Sequence, residues 1–207
     1  LRLRAGIRCV HAAALDVADD GPVEELPMNL MSRVVILFAF AASLLAQSPP
    51  KPGVEHQRLT AQSGVWDARI QTLGEDGKMT ECKGVSRVKA GPGGLWVIDE
   101  FEADMMGAPF AGHGTTGFDP ATGKHVGTWI DSWSPTVMHL EGSVDKTGKV
   151  LTMTGMGPGP DGKPVLHTMV TTAKDDGSRV FELSTPGPDG KPTVVMTIVY
   201  TRQSAKK

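Results

Sequence analysis

Turn signals recur at short, regular intervals along most of this chain, and they leave room for little except strands. They read EDGK (75–78), GPGG (91–94), DPATGK (119–124), DKTGK (145–149), PGPDGKP (158–164), DDGS (175–178) and PGPDGKP again (186–192). Asp-Gly and Thr-Gly pairs supply the positive φ that tight hairpins need, and proline pre-sets the backbone leading into them. Pro164 and Pro192 follow their turns directly, where the first residue of a strand can spare its N–H. The two PGPDGKP copies read as one hairpin turn used twice, with no wider repeat around them.

Between the turns lie alternating or β-rich runs such as VWDARIQTL, MTECKGVSRVKA, LWVIDEFEADMM, HVGTWIDSW and TVVMTIVYTR, with a shorter run at GHGTTGF. They amount to about ten strands joined by hairpin-length connections. The one helical candidate is VEHQRLTAQ (54–62), just ahead of the first strand. Each strand-plus-turn unit averages roughly 16 residues, longer than the 8–12 usual in a sandwich. Long antiparallel strands in up-and-down order must hide their edges, and closing into a barrel does so. The expected fold is therefore all-β, an antiparallel up-and-down barrel of about ten strands with a short N-terminal helix. Side chains alone do not comfortably fill so wide a barrel, so a cavity is implied.

Composition removes several function classes. The 207 residues carry Lys+Arg 21 against Asp+Glu 23, a formal net charge of -2, which gives no basic footprint for nucleic acid or anionic lipid. One tyrosine and 5% aromatic residues argue against a base-stacking surface. Two cysteines exclude a disulfide-rich scaffold or a four-thiolate zinc site.

Residues 33–46 read RVVILFAFAASLLA, one charge and then an apolar run that exits through small residues into QSPPKPG. That is the plan of a secretory signal. A transmembrane anchor takes about 20 apolar residues and this run is shorter; a buried core helix is the other alternative. Cleavage is expected after Ser43 or Ala46, and the absence of a cysteine at the end of the run argues against a lipid anchor. Translation is expected to start at Met28 or Met31, which makes 1–27 an upstream extension, 28–46 the signal, 47–53 a linker and 54–207 the barrel domain. The protein is thus expected to be exported, to a periplasm or beyond, with no integral anchor after cleavage. Beyond residue 46 only Cys82 remains, so no internal disulfide is expected despite the oxidising destination.

A helical lead-in followed by Gly64-x-Trp66 at the start of the first strand resembles the calycin group of lipocalins and fatty-acid-binding relatives. The resemblance implies that Trp66 closes one barrel end and packs against an arginine of the last strand, here Arg202. That would be a structural contact worth roughly 0.5–2 kcal/mol. More extensively, EHQRLTAQSGVW, GFDPATGKHVGTWIDSW, the EGS after the next strand and the closing MTIVYTR together resemble the bacterial family called domain of unknown function 1579. The motifs span about 150 residues and guide fold far better than activity, since the family has no established reaction. The family carries a tyrosine where this chain has His125.

Alternation over 124–133 puts His125, Gly127, Trp129, Asp131 and Trp133 on one face and Val126, Thr128, Ile130 and Ser132 on the other. The first set suits a cavity wall; it equally suits a partly solvated face over a β-branched core. Asp99 shares a face with Leu95, Val97, Phe101 and Ala103, where its carboxylate has to be paired or neutral; a buried acid held by a backbone turn is the structural alternative. There is no Gly-x-Ser-x-Gly elbow, no His-Glu-x-x-His and no paired cysteine motif. Met105, Met106, Met138, Met153, Met156, Met169 and Met196, with His113, His139 and His167, would suit copper, though methionine is also ordinary filler of apolar cavities. Haem is a further alternative, without a recognisable histidine motif.

Two function classes follow. In the preferred one the barrel binds a small apolar or amphipathic molecule without catalysis and without a cofactor; Trp129 and Met138 form part of the wall, Asp131 or His125 orients a polar end, and Asp99 is a further candidate ligand-binding residue. In the other, an envelope hydrolase or isomerase uses Asp131 with His125 or His139 as acid and base. A filled barrel meeting a partner through its outer face is a third possibility. Partner and oligomeric state are not legible in the sequence.

Overall fold

The structure, a computed structural model, describes residues 49–74, 77–159, 161–187 and 189–204. The chain divides into two units, Leu1–Pro49 and Pro50–Lys207, and the second carries the fold. The expected upstream extension and signal segment lie outside the described residues. Linker residues 49–53 have no regular structure.

After helix α1 (Val54–Thr60) come ten strands: β1 (Gly64–Leu73), β2 (Met79–Ala90), β3 (Trp96–Met105), β4 (Ala108–Asp119), β5 (Lys124–Asp131), β6 (Ser134–Val144), β7 (Val150–Pro158), β8 (Pro164–Ala173), β9 (Arg179–Pro186) and β10 (Pro192–Arg202). A single 3₁₀ turn at Pro92–Gly94 leads into β3. Each strand pairs antiparallel with its sequence neighbour, and β1 pairs with β10 to close the barrel. This is the expected up-and-down barrel with its short helix.

Both PGPDGKP copies act alike. Gly162 and Gly190 each take φ 76, and the prolines that follow open β8 and β10. Two hairpins form without a strong turn signal. The β3–β4 turn is made at Met106 and Gly107, both left-handed at φ 54 and 77, so the short GHGTTGF run is the end of a twelve-residue strand. Met-Gly is a weak turn signal because a side chain pays for the left-handed region that Asn or Asp tolerates better. The second unforeseen turn follows Asp131, so Trp133 belongs to a turn and not to β5.

The tightest packing lies on one side of the barrel. Leu59 of α1 meets Trp66, Ala68 and Ile70 of β1, Val88 of β2, Phe101 of β3 and Ile198 and Tyr200 of β10. Outside, cross-strand pairs such as Arg87–Glu102 (2.7 Å) and Lys89–Glu100 (2.9 Å) cover β2 and β3. They are exposed and each contributes little to stability.

Helix α1 covers one end of the barrel, and side chains hold it there. His56 Nδ1 accepts the Gly53 N–H (3.0 Å), which leaves its Nε2–H to donate to the Phe118 carbonyl of β4 (3.1 Å). The indole of Trp66 donates to the Gln62 carbonyl (3.0 Å). Arg202 pairs in register with Trp66, lies 4.4 Å over its ring and donates to the carbonyls of Ser63 (2.6 Å) and Ala61 (3.0 Å). Gly64 sits at φ 148, and a Cβ there would come within 2.5 Å of the Arg202 guanidinium. Arg202→Ala should therefore lower stability by about 2 kcal/mol. Gly64→Ala should lower it as well, through backbone strain and displacement of Arg202. Chemical denaturation of both variants checks this.

Candidate ligand-binding cavity

A cavity of about 400 Å³ occupies the barrel interior, within the range of roughly 300–1,000 Å³ typical of small-molecule sites. Leu59 and Gln62 lie at its helix-covered floor, Ile70, Val97, Phe101 and Met153 along its walls, and Phe110 and Trp133 at the far end. It is predominantly apolar, with few polar groups.

The strand period explains which residues reach it. Along β3, Val97, Asp99, Phe101 and Met105 point inward, while Glu100 and Glu102 sit on the other face in pairs with Lys89 and Arg87. Along β5, Trp129 and Asp131 line the cavity and Ile130 is exposed. The Trp129 indole lies over Gly112 and Gly114 of β4: a Cβ at Gly112 would come within 2.3 Å of the ring and one at Gly114 within 3.1 Å. That G-x-G slot was visible in the sequence as GHG, but its purpose depends on pairing Gly114 with Trp129 across the sheet.

Asp131 fixes the open end. One oxygen accepts the Trp129 indole N–H (3.0 Å) and the other the Trp133 backbone N–H (2.9 Å), so this carboxylate orders the turn and its neighbouring indole. Trp133 in turn meets Phe110 edge-to-face at 5.1 Å. Large apolar side chains stay exposed near this end, among them Met106, Trp133, Val137, Met156 and Leu166.

The floor holds a polar cluster that the sequence did not mark. Arg179, at the start of β9, is 8% exposed and lies 4.6 Å from the Trp66 ring and 4.4 Å from the Tyr200 ring. It donates to Gln62 Oε1 (2.8 Å) and to Ser86 Oγ (3.2 Å), and Ser86 donates to Asp99 Oδ1 (2.7 Å). Asp99 is thus paired, through a serine bridge to a buried arginine and not through a backbone turn. Burial lowers the Arg179 pKa from its ordinary value, but an arginine starts so high that it stays charged. Burial also drives the Tyr200 phenol well above its usual range, against the pull of Arg179, so its hydroxyl remains protonated. No local motif announces this cluster, because its members come from α1's C-terminal side, β2, β3, β9 and β10.

The remaining sequence candidates separate. Met138 lines the wall and is buried. His125 is buried on β5 but away from the cavity, near α1, edge-to-face with Phe118 at 5.2 Å and 3.9 Å from Glu55 Oε2. Its Nδ1 has no partner. His139 is exposed on the outer face of β6, next to inward Met138. The proposed acid–base pairs are not brought together: His125 and Asp131 sit at opposite ends of β5, about 20 Å apart at strand rise. The methionines also divide. Met105, Met138, Met153, Met169 and Met196 line the cavity with His167, whereas Met106 and Met156 are exposed. Among the described residues no group of three or more His, Cys, Asp or Glu is placed to hold a metal. Cys82 is partly buried, and burial followed by the nearby Asp104 and Glu81 raises its pKa, which keeps the thiol protonated.

These features define a class, a closed ten-stranded antiparallel barrel around an apolar cavity with a small buried polar floor. The chain belongs to the family described as "Protein of unknown function (DUF1579)", which matches residues 51–202. Rv2717c from M. tuberculosis, known from a crystal structure, is similar at 16% sequence identity and a TM-score of 0.55, over 73% of this chain and 99% of that one. A redesigned beta barrel, b11L5F_LGL, matches at 14% identity and a TM-score of 0.39, over 75% and 100%. The Rv2717c likeness bears on fold alone. No curated protein matches the sequence. No helix among the described residues is long and apolar enough to cross a membrane.

His125 gives the barrel a pH dependence of defined sign. Burial holds its pKa below the ordinary 6.5, with Glu55 pulling it upward and His56 and Arg58 pushing it down. The unfolded chain therefore takes up the proton first, and the stability that neutral His125 contributes is lost as pH falls below about 6.5. Denaturation curves between pH 7.5 and about 5 should show the protein weakening over that window, and His125→Gln weakening less.

Proposed function

We propose that this protein is an exported carrier or sensor that encloses a small apolar or amphipathic molecule and performs no reaction on it. The observation that carries the reading is the predominantly apolar cavity of about 400 Å³ inside a closed barrel. Enclosure supplies the affinity, at roughly 25 cal/mol per Å² of apolar surface removed from water. Flexible methionines at Met105, Met138, Met153, Met169 and Met196 suit a wall that adapts to ligand shape. Asp131 acts indirectly here, by orienting Trp129, and Asp99 is the better-placed group for a polar end.

Export is supported by the charge-then-apolar run at 33–46. A calycin-like relationship is supported by Gly64, Trp66 and Arg202, whose contacts follow the arrangement that the resemblance implies. The catalytic alternative loses support from the separation of His125, Asp131 and His139.

Native mass spectrometry of the purified protein should show a bound molecule that is lost on denaturation. Trp129→Ala should weaken binding of a neutral phenylnaphthylamine dye about tenfold, the value of some 50 Å² of lost apolar contact, while the thermal transition remains cooperative. Parallel loss of dye binding and of the folded state would make Trp129 a structural residue only.

A further inference from the structure

The polar floor has unused hydrogen-bonding capacity, and its charges are already matched. Each amino group of Arg179 makes one of the bonds described above, its guanidinium lies 4.6 Å from the Trp66 ring and 4.4 Å from the Tyr200 ring, and its Nε–H is buried without a partner and out of a ligand's reach. Asp99 supplies the compensating negative charge through Ser86. Three further groups of the floor make no hydrogen bond and are open to the cavity: the second oxygen of Asp99, the Tyr200 hydroxyl and the Gln62 amide N–H₂. All three residues line the cavity, and none of these atoms is among the fully buried, unpartnered ones.

Resting on the ligand-binding reading above, we propose that this floor receives a neutral hydroxyl, an alcohol or phenol at the end of an apolar body. The hydroxyl donates to the free Asp99 oxygen and accepts from the Tyr200 hydroxyl or the Gln62 amide, so it satisfies a donor and an acceptor at once. Tyr200 keeps its proton and serves as a donor. Charge decides against the alternatives. The charged residues lining the cavity are Asp99, Asp131 and Arg179, a net negative set. A carboxylate would add a second anion beside Asp99 in a poorly solvated space, and an ammonium would be placed close to buried Arg179; like charges so placed repel strongly.

The test is displacement of the neutral dye by a chain-matched trio, decanol, decanoate and decylamine, at neutral pH. Decanol should displace it at about one-tenth the concentration that the other two require. Tyr200→Phe, which keeps the ring against Arg179, should weaken decanol about fivefold more than it weakens the dye; Asp99→Asn should do the same where it folds. Decanoate binding as tightly as decanol or tighter, or equal displacement by all three, overturns the head-group assignment and leaves the cavity reading standing. So does a Tyr200→Phe variant in which decanol weakens no more than the dye. Failure of the folded protein to bind the dye or any of the three overturns both.

Discussion

The pairing of β1 with β10 is the constraint on which the rest of this structure depends. Every other ladder joins strands that are neighbours in sequence, and local turn chemistry can form each of them. Only this seam, running from Trp66↔Arg202 to Thr72↔Met196, joins the two extremes of the barrel. It removes both free edges, and it fixes the circumference that leaves a cavity inside. It also brings Trp66 within 4.6 Å of Arg179, which the β9–β10 ladder already pairs with Tyr200, so the floor of the site is complete only when the ring is closed. Closure and site are one structural event.

The barrel has two chemically different ends as a result. At the covered end, α1 is tied down by His56, Gln62, Trp66 and Arg202, and a linked set of polar groups, Gln62, Arg179, Ser86 and Asp99, lies beneath it. At the other end Asp131, Asp161 and Asp189 each hold the turn they belong to, and large apolar side chains remain in contact with water. A ligand enclosed between them meets ordered polar groups on one side and adaptable apolar ones on the other.

Fold was legible in this sequence because the turns are local chemistry. An Asp-Gly or Pro-x-x-Gly signal acts within four residues, and period-two alternation states which side chains share a face. That was enough to put Asp99 with Val97 and Phe101, and Trp129 with Asp131. It was not enough to assign roles. Asp131 reads as a ligand-facing acid until the turn at Trp133 shows what its oxygens accept. His125 shares the inward face but lies under the helix, a distinction of position along the strand that alternation cannot make. Arg179, Ser86 and Gln62 carried no signal at all, since an arginine at a strand start or a serine within a strand has meaning only through partners 93 and 117 residues away.

An up-and-down ring whose first and last strands are hydrogen-bonded neighbours has no natural beginning. Its strand order is cyclic, with β10 as good a neighbour for β1 as β2 is. Connecting Arg202 back towards α1 and opening the chain within either PGPDGKP turn would yield a circular permutant with the same ladders, because the described residues of those turns contribute no side chain to the floor. What such a permutant would change is the order of assembly. The Trp66–Arg202 seam would become a local connection, and an ordinary hairpin would become the long-range closure that folding has to reach last.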